Sequence, residues 1–186
     1  MDADKYAKVE VQSEAALWAW LDENHRSTQT VWLVTWKAVH ADKYLSREAV
    51  LDALIAYGWV DGRRMVLDAD RTMQLISPRQ QQAWAKSYKD RVVKLLHEGR
   101  MQPSGEDAVT RGKESGLWHF FDDVDALIVP SDLAGDLDLA RWDALAPSYR
   151  RNVLRWIKLA KTDKTRAKRI NEVVQTTKAG TKIPQM

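Results

Sequence analysis

The chain has 186 residues, of which 45% are apolar and 30% charged, with a formal net charge of +3 and no cysteine. That composition fits a folded domain large enough for its own core and argues against disorder. It excludes a disulfide scaffold, thiol catalysis and thiolate-held metal clusters. No apolar run reaches the ~20 residues that span a bilayer. The start, 1–12, is charged and has no apolar stretch of the kind a secretory signal needs, so a cytoplasmic protein without membrane insertion is expected.

In chain order, 1–12 reads as an N-terminal extension. Ser13 is placed to cap a helix whose Leu17, Trp18 and Leu21 share one face. Residues 31–37, Val31-Trp-Leu-Val-Thr-Trp-Lys37, are β-branched and aromatic and read as a buried strand. Ser46 caps a second helix over 47–57, and Gly58 sits where a left-handed C-terminal residue belongs. Residues 59–67 and 72–77 read as strands joined by the polar turn 68–71, with Pro78 ending the second.

Helices follow over 91–98, closed by Gly99, and from Pro103 to Gly116. Residues 117–130 form a connector containing Trp118-His-Phe-Phe121. Short helices are expected over 131–137 and 139–145. Pro147 then opens a helix over 148–161, apolar at Val153, Leu154, Trp156, Ile157 and Ala160. Thr162 or Asp163 caps a last helix over 164–178, and 181–186 reads as a loose tail. The fold class is α+β: a small antiparallel sheet of about three strands against a mostly helical domain, in one domain over 13–180.

Charge is unevenly placed. Residues 147–186 hold eleven Lys and Arg against two acids, or +9, whereas the first 146 hold eighteen bases and twenty-four acids, or −6. Two halves of opposite sign either attract each other within the fold or present a basic face to an anionic partner.

No phosphate loop, dinucleotide fingerprint or nucleophile elbow is present. The four histidines, His25, His40, His97 and His119, have no metal-ligand spacing, and 122–125 lacks the glycine and glutamate of a calcium loop, so neither metal nor cofactor is expected. The nine tryptophans read chiefly as core. Arginine is the residue type suited to a site, because its fork grips carboxylate or phosphate at two points. Arg63, Arg64, Arg79, Arg151 and Arg166 are the candidate anion-binding residues, with Trp59 and Trp84 as an apolar wall. The competing reading pairs such arginines with Asp61, Asp68 or Asp70.

The chain resembles the YdeI/OmpD-associated, or bacteriocin-protection, family. The resemblance is carried by Trp32-Leu-Val-Thr-Trp-Lys37, Ala53-Leu-Ile-Ala-Tyr-Gly-Trp-Val-Asp-Gly-Arg63, Ser77-Pro-Arg79 with Trp84, and Glu98-Gly-Arg-Met101. Further on it is carried by Leu145-Ala-Pro-Ser-Tyr-Arg-Arg151, Trp156-Ile157, Ala160-Lys161 and Lys164-Thr-Arg-Ala-Lys-Arg-Ile170. It implies a link to antimicrobial-peptide resistance and to an outer-membrane porin, often in the periplasm; the present start departs from that. It implies no catalytic residues.

Three functions follow as expectations. The first is a non-enzymatic, stress-protective protein binding an anionic small molecule or acidic peptide. The second binds nucleic acid through Arg155, Lys158, Arg166 and Arg169. The third is a small enzyme using Asp61 as base on an acidic substrate.

Overall fold

The computed structural model describes residues 5–183. It divides into two compact units, Met1–His119 and Phe120–Met186.

The first unit carries strands β1 (Lys8–Glu10), β2 (Val31–Trp36), β3 (Trp59–Val66) and β4 (Arg71–Pro78). Its helices are α1 (Glu14–Asn24), α2 (Arg47–Ala56), α3 (Lys86–His97) and α4 (Pro103–Glu114). The sheet order is β1-β2-β4-β3, with β1 parallel to β2 and the other pairs antiparallel. The expected α+β class and all three expected strands are present. A fourth strand comes from within 1–12, the stretch read as an extension. It is only three residues long, too short for a period of two to register.

The β2 run is buried on both faces. Val31, Leu33 and Ile76 pack with Leu17 and Leu21 of α1, Leu54 and Ile55 of α2, Val92 and Leu95 of α3, and Ala108 of α4. Trp32, Val34 and Met73 form a smaller cluster with Tyr6, Met65, Leu67 and Leu75 on the opposite face. Double-sided burial explains why β2 reads as an unbroken apolar run.

The helix punctuation follows the sequence. The Ser13 hydroxyl accepts from the Ala16 amide and the Ser46 hydroxyl from the Ala49 amide, each at 3.1 Å. Helix α3 starts five residues before the expected 91. Its N-cap is Ala85, without a side-chain bond, and its first turn is polar, so no signal marks that end.

The second unit is helical: α5 (Asp122–Asp125), α6 (Ser131–Ala134), α7 (Leu139–Asp143), α8 (Pro147–Lys158) and α9 (Asp163–Lys178). Helix α9 packs against α6, α7 and α8, and α5 against α8. Leu133, Trp142, Val153, Ile157 and Val173 are buried. The Thr162 hydroxyl caps α9 by accepting from the Thr165 amide. Helix α8 ends three residues before the expected 161, and residues 184–186 of the expected tail lie outside the described residues. No helix among the described residues is long and apolar enough to cross a membrane.

Candidate functional site

The last carbonyls of α2 build the site. A helix end leaves its final C=O groups without intrahelical partners. Here the Gln102 amide donates to Ala56 O at 3.1 Å, the Ser104 hydroxyl to Tyr57 O at 3.1 Å, and the Arg79 amide to Gly58 O at 2.9 Å. Two distant segments, around Arg79 and over 102–104, are thereby tied to one turn. Gly58 supports this with φ of +73°, a region that disfavours side chains. Gly105 supports it by close approach: a Cβ there would sit 2.1 Å from Ala56 O.

These ties surround a cavity of about 380 Å3 in the first unit. Its lining includes Arg26, Arg79, Ser104, Asp107 and Arg111. Ser104, Asp107 and Arg111 recur at i, i+3 and i+7 and so form one stripe along α4. The Ser104 amide, at the second helical position, has no intrahelical acceptor, and the positive end of the helix dipole lies at that turn. Three arginines face one carboxylate, so the lining is cationic.

Arg79 differs from the other two. It is 4% exposed, whereas Arg26 and Arg111 are exposed. Its guanidinium lies 4.0 Å from the Trp84 ring centroid and 5.2 Å from that of Tyr88, within cation–π range. Nη1 donates to Gln82 O at 3.1 Å, while Nε and Nη2 have no hydrogen-bond partner. No carboxylate among the described residues pairs with it. Burial pulls its pKa down to about 10, so it stays charged near neutral pH.

Asp61 stands behind Tyr88. It accepts from the Tyr88 hydroxyl and from Gln74 Nε2, the latter at 3.0 Å. Burial, and then the Asp61 carboxylate, raise the Tyr88 pKa to about 12. Asp61 therefore holds a tyrosine and a glutamine, and no arginine is ion-paired to it.

The other expected arginines have separate surroundings. The register of β3 on β4 slips between Asp61 and Arg64, leaving one extra residue on β3. Successive strand residues alternate faces, and Arg63 and Arg64 meet different neighbours. Arg63 lies over Trp32 at 5.6 Å, whereas Arg64 donates to the Thr72 hydroxyl at 3.0 Å. Trp59 is fully buried against Trp20, and Trp84 stacks on Arg79. Arg151 and Arg166 belong to the second unit. Arg166 grips Asp132 at 2.6 and 2.9 Å, and Arg151 Nε lies 3.7 Å from Asp125. Asp68 pairs with Arg71, and Asp70 with His40.

Of the residues named from sequence, Arg79 and Trp84 meet in or beside the cavity, and Trp59 lies in the core. Arg26, Ser104, Asp107 and Arg111 are added by the structure. The stripe on α4 was the only sequence signal for the last three, and nothing in the sequence marks Arg26. The basic residues of the second reading are engaged within their own unit. Lys158 meets Asp123 at 2.5 Å, Arg169 donates to Trp156 O, and Arg155 lies over Phe121 at 4.9 Å. No group of three metal-ligating side chains occurs among the described residues.

The sheet-plus-helix unit and the helical unit each match a family model. Residues 9–108 match the model described as Domain of unknown function (DUF8412), and the chain belongs to that family. Residues 126–180 match the model described as Bacteriocin-protection, YdeI or OmpD-Associated, so the second unit carries a domain of that family. The resemblance drawn from sequence is borne out there; its blocks before residue 108 fall within the first match. No curated protein and no solved structure matches the chain.

Proposed function

We propose that the protein binds a small oxyanion, such as phosphate or the anionic group of a phosphorylated or carboxylated molecule, in the cavity around Arg79. The reading is non-enzymatic: the cavity offers grips for charge, and Asp61 is occupied by Tyr88 and Gln74. Bacteriocin protection, the description attached to the second unit's domain, supplies the setting: a stress-protective role that uses this binding.

One observation carries the reading. Burying an arginine without a counter-charge costs several kcal/mol in general, and arginine does not escape by losing its proton. Arg79 lines the cavity with no carboxylate hydrogen-bonded to it, and an anion held there would offset its buried charge. Arg26, Arg111 and the start of α4 add attraction of the same sign. Calorimetric titration of the full chain with inorganic phosphate tests this. Saturable binding is expected, weakened more than about tenfold in Arg79→Gln through loss of a charged hydrogen bond, and unchanged in Arg166→Gln. Absence of saturable binding, or equal binding by Arg79→Gln, overturns it.

A further inference from the structure

The cavity contains a carboxylate that an anion site of maximal strength would not have. Asp107 lies on the α4 stripe between Ser104 and Arg111, and all three line the cavity with Arg79. At i, i+4 spacing Asp107 and Arg111 are placed to pair, as such residues commonly do on helices. They do not: neither has an ion-pair or side-chain hydrogen-bond partner among the described residues. Asp107 is also outside the network of Asp61, Tyr88 and Gln74, so it has no structural task in the first unit's core.

An ionised carboxylate can only accept hydrogen bonds. Beside a fully deprotonated anion it repels. Beside an anion that carries a proton of its own, it accepts that proton's hydrogen bond. Discrimination of this kind works by leaving the wrong ligand with an unanswered charge.

We propose that Asp107 is a specificity-determining residue that selects anions bearing a hydrogen-bond donor, hydrogenphosphate in preference to sulfate. The same chemistry extends to organic anions with a hydroxyl or ammonium group near the charged end. The proposal rests on the anion-binding reading of the cavity, with Arg79 supplying the attraction and Asp107 the choice.

Phosphate and sulfate are the probes, since they share size and shape and differ in the proton. Titrations of the full chain at pH 7 are expected to show phosphate bound roughly tenfold more tightly than sulfate. Asp107→Asn is expected to bring the two within about twofold, mainly by tightening sulfate, because the amide removes the repulsion and supplies a donor. Asp107→Glu, which keeps the carboxylate, is expected to retain the preference for phosphate. Asp107 is exposed and makes no side-chain bond, so these variants fold. Equal binding of both anions by the unaltered protein overturns the selection while leaving the anion site standing. A preference for phosphate that persists in Asp107→Asn does the same. Binding of neither anion overturns both.

Discussion

The two units treat arginine in opposite ways. In the first unit, Arg79 is buried without a carboxylate partner, held by two aromatic rings and one carbonyl. In the second, where the strongest positive charge lies in the sequence, Arg166, Arg151 and Lys158 each face an aspartate. Local net charge is thus a poor guide to a binding site. A cation that is counted in the total and also paired does little for a ligand. A cation kept dry and unpaired is held at a cost, and a ligand relieves that cost.

The first unit also contains the internal control. Arg91, on α3, is bonded to Asp52 and Glu48 across to α2, and Lys94 joins Asp52 at 2.7 Å. Asp52 is almost fully buried. Asp52→Ala leaves Arg91 and Lys94 without their central partner and is expected to cost roughly 3 kcal/mol, read from chemical denaturation. A cost below about 1 kcal/mol would mean that Glu48 alone is enough to hold Arg91 and that the buried Asp52 pairing adds little.

The second unit should respond weakly to the corresponding change. Asp132 and Arg166 are both partly exposed, so Asp132→Asn is expected to cost less than about 1 kcal/mol. The Arg166 guanidinium holds the Asp132 carboxyl below its ordinary range. A depressed folded-state value means the contribution is fully present above the ordinary carboxylate pKa and is lost as pH falls through the depressed one. Acid unfolding followed by circular dichroism should therefore show Asp132→Asn and the unaltered protein differing near neutrality and converging at low pH. A difference that grows with acidification would contradict the pairing.

Much of the scaffold was legible because the signals are local. Ser13 and Ser46 cap what they precede, and Gly58 takes the left-handed conformation that ends α2. Arg79 and Trp84 were legible as candidates, but not as a stacked pair. Three features had no local signal. The three-residue β1 is defined by its parallel partner β2 and not by its own pattern. The bulge between Asp61 and Arg64 exists only in the pairing with β4. The cavity joins Arg26, Arg79 and α4 through carbonyls at the end of α2, a convergence that requires the fold.

The most direct measurement replaces Arg79 by methionine and follows thermal unfolding with and without inorganic phosphate. An anion that binds only the folded state stabilises it by about 1.4 kcal/mol at ten times its dissociation constant. Arg79→Met, without phosphate, is expected to melt at the same temperature as the unaltered protein or higher, since a costly buried charge is gone, and phosphate is expected no longer to raise the midpoint. A large loss of stability without phosphate, together with an undiminished phosphate shift, would make Arg79 a structural prop and contradict the site.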